Sequence, residues 1–217
     1  WDRETSRYLI EDYLLAVAPS GTVSLRASAR STALGAAPDA LVVGNPKIER
    51  SHSGAFASLP GAEAEAVEIA SLYASVTLLT GKGATKAEFL RGVSGSQVVH
   101  YAGHAAAGDD SPSTARLLLA GDPESGDGGA LYLRELDRRS FPRTRLVVLA
   151  ACRTAAGAVS RVEGALSLGR PFLAAGVPDV VASLWDVDDV LSRRFMVALH
   201  RTLLAGRDPV QALRATQ

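Results

Sequence analysis

Cysteine occurs once in this 217-residue chain, methionine once and tryptophan twice. A single cysteine excludes a disulfide framework within the chain and removes support for an oxidising compartment. Net charge is also missing, since 23 Lys and Arg residues balance 23 Asp and Glu residues. Without a basic patch or stripe, direct nucleic-acid contact is not expected. No stretch reaches the ~18 consecutive apolar residues of a membrane-spanning helix. The opening residues, Trp1 to Leu15, carry acidic groups and lack the basic-then-apolar layout of a signal peptide. These absences point to a cytoplasmic location with no membrane partner. No internal repeat or linker divides the chain, so residues 1–217 read as one domain. Because it opens on Trp1 instead of Met, the chain reads as a fragment or processed piece of a longer protein.

What is present is ordinary for a soluble globular protein: 47% hydrophobic and 21% charged residues. Chains of up to ~250 residues often fold around one core. Residues 4–16 are spaced for a short amphipathic helix, broken by Pro19-Ser20-Gly21, and a second helix begins near Ser24. Leu41-Val42-Val43 is a short strand stopped by Gly44-Asn45-Pro46, and residues 47–61 read as loop. Ala62 to Tyr73 is rich in helix formers, with Val67, Ile69 and Leu72 available to pack inward. Val76 to Leu79 and Gln97 to Tyr101 read as strands. Between them Thr85-Lys86-Ala87-Glu88 fits a capping box that opens a helix running to about Gly92. Arg116 to Ala120 is apolar, Leu131 to Leu133 is a short strand, and Arg134 to Arg139 forms a helical turn or two. Arg145 to Ala151 is the most apolar strand, suited to burial on both faces of a parallel sheet. Glu163 to Ala175 is a helix closed by Gly176, and Val180 to Trp185 is a buried strand. A helix follows over Val190 to Leu204, and Asp208-Pro209 opens a last one. Strands alternating with helices predict an α/β fold, a mostly parallel sheet covered on both faces in three layers.

In such a sheet, ligands bind beyond the carboxyl ends of the strands. The strand ending at Tyr101 runs into Ala102-Gly103-His104, and the strand ending at Leu149 runs into Ala150-Ala151-Cys152. If the two strands are neighbours, His104 and Cys152 meet at one edge. A thiol of pKa ~8.5 is mostly protonated at neutral pH, while the thiolate is the nucleophile. A nearby imidazole can take its proton and later protonate a leaving amine. The N–H groups of Gly103 and Cys152 are candidates for an oxyanion hole. A bland reading stands beside this one, with His104 a surface loop residue and Cys152 a small apolar filler. His100 lies on the strand and reads as structural, hydrogen-bonded within the core. His100, His104 and Cys152 lack a fourth ligand, so a zinc site is not expected. His52 and His200 have no evident partner.

His100-Tyr101-Ala102-Gly103-His104 followed by Leu117-Leu118-Leu119 resembles the histidine motif of CHAT domains, caspase-like domains often joined to tetratricopeptide repeats. Leu146 to Thr154 resembles their cysteine motif. Glu163 to Leu168 and Phe172 to Gly176 resemble the helix that follows, and Val181 to Asp189 the next strand and loop. Leu59 to Glu63 is similar to an early helix of the family, and Gln211 to Ala215 to its closing helix. The resemblance runs from about Ile10 to the end, with several motifs in order. It implies a caspase-like fold and peptide-bond cleavage by a cysteine endopeptidase. His104 would be general base and acid, and Cys152 the nucleophile. No metal or cofactor is implied. A flanking tetratricopeptide-repeat or other sensor module is implied as a partner, with a protein or peptide as substrate.

The Leu-Trp-Asp-Val-x-Asp loop is also similar to separase, in whose relatives an acidic residue here receives a basic P1 side chain. That implies substrate-binding roles for Trp185, Asp186, Asp188 and Asp189, through paired charge-assisted hydrogen bonds to Arg. The competing reading is that Asp188 or Asp189 caps the helix near Val190, with Trp185 simply packing. Ser160 to Glu163 also fits a capping box, preferred over a role for Glu163 in the site. Asp109, Asp110 and the glycine-rich loop at residues 126–129 would shape specificity from loops over the site. Two functional classes remain: an endopeptidase, or a non-catalytic caspase-like module that regulates a neighbouring domain. A generic ester hydrolase lacks the Gly-x-Ser/Cys-x-Gly elbow.

Overall fold

A computed structural model describes residues 6–30, 34–48, 56–106, 114–124, 126–151, 161–183 and 188–217. Five strands, β1 (Asp39–Pro46), β2 (Ser75–Gly81), β3 (Val98–Ala102), β7 (Leu146–Ala150) and β8 (Asp179–Ala182), form one sheet in the order β2-β1-β3-β7-β8. Every pairing in it is parallel. Three short strands, β4 (Ala105–Ala106), β5 (Arg116–Leu118) and β6 (Ala130–Tyr132), form a separate antiparallel sheet. The central strands β1, β3 and β7 are mostly apolar because both faces are covered, with β3 buried along its whole length, while the edge strand β2 is exposed over its first four residues.

Alternation along the strands divides the core. Leu41, Val43, Val99, Tyr101, Val147 and Leu149 face one side, with α4 (Lys86–Gly95), the small sheet and α5 (Arg161–Ala174). Val42, Val98, Leu146 and Val148 face the other, with α3 (Pro60–Ala70), α6 (Asp189–Leu204) and α7 (Pro209–Thr216). These are the three layers expected from the sequence.

The differences are local. Near the N-terminus the described helix is a single turn, α1 (Leu9–Asp12), and α2 covers Gly21–Ser28 behind the Ser20 cap. None of the side chains of α1 or α2 is buried, so little packing selects a longer helix there. β1 does not stop at Gly44. It continues to Pro46 with a register shift, and Asn45 takes φ of +48° at the irregularity. On α3 the inward face is Glu65, Ala66, Ile69 and Ala70, while Val67 is exposed. Val67 and Ile69 are two residues apart and cannot share a helix face. Thr85 caps α4 by accepting the Glu88 N–H at 3.3 Å, and α4 runs on to Gly95. After α5, Gly176 at φ of +95° lets the N–H groups of Gly176 and Val177 return to the carbonyls of Leu173 and Phe172.

Candidate active site

β3 and β7 are paired in register from Val98↔Leu146 to Ala102↔Ala150. The chain therefore leaves both strands side by side at their carboxyl ends. His104 follows Ala102 by two residues, and Cys152 follows Ala150 by two. Cys152 itself lies outside the described residues, as do Trp185, Asp186, Asp109 and Asp110. Of Glu163, only its place in α5 is described.

His104 is 8% exposed, not a surface loop residue. Its backbone is pinned on the core side. The carbonyl of His104 accepts the Leu118 N–H at 3.0 Å, and the Tyr101 hydroxyl lies 2.7 Å from both the His104 and Leu118 carbonyls. Tyr101 is fully buried, and burial holds its phenol far above the usual range, so it stays a donor. Gly103 is required by close packing. A Cβ there would stand 2.8 Å from the Tyr101 hydroxyl and 3.1 Å from Cδ of Pro46.

The imidazole is held by the segment before α3. His104 Nε2 is 2.8 Å from the Ala57 carbonyl, and the Phe56 ring lies against the imidazole at 5.2 Å between centroids. A carbonyl only accepts, so Nε2 carries a proton, and in the neutral ring the lone pair belongs to Nδ1. That segment is tied to the strand end through Asn45. Its Oδ1 accepts the Leu59 N–H at 2.8 Å, and its amide donates to Ser58 and Glu63. The irregular end of β1 thus orients the histidine that follows the adjacent strand β3.

Beside Gly103, a cavity of about 30 Å3 opens between Ala102, Ala150, Glu65, Asp189 and Ser192. The Asp188 carboxylate caps α6, accepting from Val190 N–H at 3.0 Å and Leu191 N–H at 3.2 Å. Asp189 lines the cavity, packed so close to Gly61 that a Cβ on the glycine would lie 2.5 Å from its carboxylate. Among the described residues, no group of three or more His, Cys, Asp and Glu could hold a metal ion, and no helix is long and apolar enough to cross a membrane.

His100 is the core histidine the strand pattern predicts, but its partners come from distant elements. Its Nε2 is 3.0 Å from Glu65 Oε1, and its Nδ1 is 3.1 Å from His200 Nε2. His200 has two partners, because its Nδ1 is 2.7 Å from the Tyr73 hydroxyl. Glu65, Tyr73 and His200 carry no motif of their own. A helical period does put His200 among Met196, Val197, Leu199 and Leu203 on the buried face of α6. A buried ring nitrogen requires a partner, and that signal was present in the pattern.

The profile of the CHAT domain matches residues 1–217. Tetratricopeptide repeat protein 28 of mouse is 29% identical over 201 residues, covering 77% of this chain and 8% of that protein. The human protein of the same name is 27% identical over 206 residues, covering 80% of this chain and 8% of its own length. This chain therefore spans a small part of these relatives. Among solved structures, the Arg-specific cysteine proteinase gingipain R superposes with a TM-score of 0.50 at 11% identity, over 89% of this chain and 45% of that one. At that identity the likeness speaks for the fold alone, a caspase-like α/β arrangement. With the sheet, the paired strand ends and the motifs in agreement, this chain belongs to the CHAT domain family.

Proposed function

We propose that this domain is a cysteine endopeptidase with His104 as general base and acid and Cys152 as nucleophile. The observation that carries the reading is the placement of His104 at the carboxyl edge of β3: Nε2 meets the Ala57 carbonyl at 2.8 Å, so in the neutral ring the lone pair belongs to Nδ1. A general base needs that free lone pair, and an orienting partner on the far nitrogen is the arrangement of an activated nucleophile.

In this mechanism Nδ1 of His104 takes the Cys152 thiol proton, and the thiolate attacks the scissile carbonyl carbon. Charge moves to the carbonyl oxygen, which the N–H groups of Gly103 and Cys152 stabilise. The C–N bond breaks as His104 returns the proton to the departing amine. Water, deprotonated by the same nitrogen, then releases the acyl group from sulfur. Spreading the positive charge of the transient imidazolium toward the Ala57 carbonyl is what the 2.8 Å contact provides.

For specificity we propose a basic P1 residue received by Asp189 and Asp186, with Trp185 as a wall. Asp189 lines the cavity beside Gly103 and Ala150, whereas the carboxylate of Asp188 is engaged in the helix cap. A neighbouring tetratricopeptide-repeat region as regulatory partner is supported by the relatives' names.

The test is a peptide-library cleavage profile of the protein beside its Cys152→Ala and His104→Gln forms. Cleavage after Arg or Lys, lost in both variants and weakened by Asp189→Asn but not Asp188→Ala, supports the reading. An acidic or apolar P1 preference removes the Asp189 assignment. Absence of turnover and of labelling by thiol-directed peptide electrophiles, in the chain with its native flanking region, favours the non-catalytic module instead.

A further inference from the structure

The buried face of α3, β3 and α6 holds an unbroken polar chain: Tyr73, His200, His100, Glu65 and Ser192. Its contacts are 2.7 Å from the Tyr73 hydroxyl to His200 Nδ1 and 3.1 Å from His200 Nε2 to His100 Nδ1. They continue with 3.0 Å from His100 Nε2 to Glu65 Oε1 and 3.0 Å from the Ser192 hydroxyl to Glu65 Oε2. Both rings are wholly buried and Glu65 is 3% exposed. All four ring nitrogens are used, each by a partner that is itself in the chain. At its far end the chain reaches the cleft, because Glu65 and Ser192 line the cavity beside Gly103 and Asp189.

We propose that this chain is a two-state proton relay that sets the charge of Glu65 at the cleft wall. A carboxylate only accepts, so with Glu65 ionised the proton order is forced. Tyr73 O–H donates to His200 Nδ1, His200 Nε2–H donates to His100 Nδ1, and His100 Nε2–H donates to Glu65. Both histidines are then neutral Nε2–H tautomers.

One proton taken from solvent can be accommodated without moving a heavy atom. His200 gains a proton on Nδ1 and passes its Nε2 proton to His100 Nδ1. His100 passes its Nε2 proton to Glu65, which becomes a neutral acid. The three contacts made by the rings survive with donor and acceptor exchanged, while Ser192 goes on donating to Glu65 Oε2. The Tyr73 hydroxyl keeps its proton, turns it away and accepts from His200. Both rings end as Nδ1–H tautomers, neither is an imidazolium, and the cleft wall has lost one negative charge.

The surroundings disfavour a charge on His200. Burial holds His200 well below the ordinary histidine range, and burial keeps the Tyr73 phenol protonated. Charged groups on the packed elements are engaged elsewhere or lie at the surface. Glu68 of α3 pairs with Arg193 and Arg201 of α6, all three at least 32% exposed in their side chains, and Glu63 bonds to Asn45. Asp189, the first residue of α6, is the exception, since it lines the same cavity as Glu65. Arg194 of α6 and the cap residue Asp188 are exposed, Arg214 of α7 bonds to the Glu11 carbonyl, and Asp39 at the start of β1 pairs with Arg143. β3 and β7 contribute no Asp, Glu, Lys or Arg.

The experiment is nitrogen-15 NMR of the histidine rings in the His52→Gln/His104→Gln form, which leaves His100 and His200 as the only rings. At pH 7.5 both must show a protonated Nε2 and a bare Nδ1. On acidification both must pass to the Nδ1–H tautomer at one shared midpoint while far-ultraviolet circular dichroism stays native. With Glu65→Gln added, one tautomer pair must persist across the same range. Infrared difference spectra of the otherwise unaltered chain give a second readout, in case that variant folds poorly: a carboxylic C=O band that appears on acidification and is absent in Glu65→Gln. An imidazolium forming near pH 6.5 in the folded protein, separate midpoints, or Nε2–H tautomers retained until acid unfolding overturns the relay. It titrates in the folded chain whether or not Cys152 cleaves a peptide, so its failure and that of the peptidase reading are separate results.

Discussion

Gly103→Ala is the sharpest test of how the core holds the candidate base. The added methyl would sit 2.8 Å from the Tyr101 hydroxyl, 2.9 Å from its Cζ and 3.1 Å from Pro46 Cδ. Tyr101 cannot retreat, because it is fully buried and packed edge-on against Phe89 at 6.1 Å between centroids. Overpacking of this sort costs about 1–3 kcal/mol. Tyr101→Phe should cost about 1–3 kcal/mol by a different route, removing the one hydroxyl donor that the buried His104 and Leu118 carbonyls share, while the His104 carbonyl keeps the Leu118 N–H. The two effects are not independent, since removing the hydroxyl removes the nearest clash. The double variant should therefore fall short of the summed losses by about 0.5 kcal/mol or more. Urea unfolding at pH 7.5 reads the cycle, and each kcal/mol should appear as about 2–4 °C in Tm for a chain of this size. Strict additivity, or a Gly103→Ala protein as stable as the parent, would refute the claim that Tyr101 braces the His104 backbone through Gly103.

Acid should weaken the fold through His200. Its folded pKa is depressed, so the unfolded chain binds the extra proton. The stability this neutral ring carries is complete above pH ~6.5 and declines as pH falls below that value, until the buried chain takes up its own proton. The limiting slope is about 1.4 kcal/mol per pH unit, and urea midpoints measured from pH 7.5 to 5 should show a shallower decline in His200→Gln. Removing the α6 cap with Asp188→Ala should cost about 1 kcal/mol, read as a shift in urea midpoint without a change of P1 preference. Thr85→Ala should cost a similar amount at the start of α4 and leave His104 chemistry untouched, as judged by the pH profile of cleavage.

Much of the architecture was legible because parallel strands buried on both faces must be continuously apolar. Leu146–Ala150 announces itself that way, Val98–Ala102 does so apart from His100, and Gly176 marks a helix end because an L side chain there would be strained. The reach of β1 was not legible. Gly44-Asn45-Pro46 has turn chemistry, yet pairing with β2 and the hydrogen bonds of Asn45 carry the strand through it. The site divides in the same manner. His104 could be picked out by its motif, while the role of Ala57 could not, because a backbone carbonyl leaves no mark on residue identity.

Residue order alone determined the alternation of strands and helices, the small residues at the strand ends, and the histidine and cysteine that follow them by equal steps. Local preference and periodicity depend only on near neighbours, so a linear reading reaches them. Tertiary structure alone decided which nitrogen of His104 meets the Ala57 carbonyl, which acidic side chain lines the cleft, and that Tyr73, His200, His100 and Glu65 touch. Those choices rest on contacts between residues 35 to 127 positions apart, and buried polar groups take whichever partner the packing brings within reach.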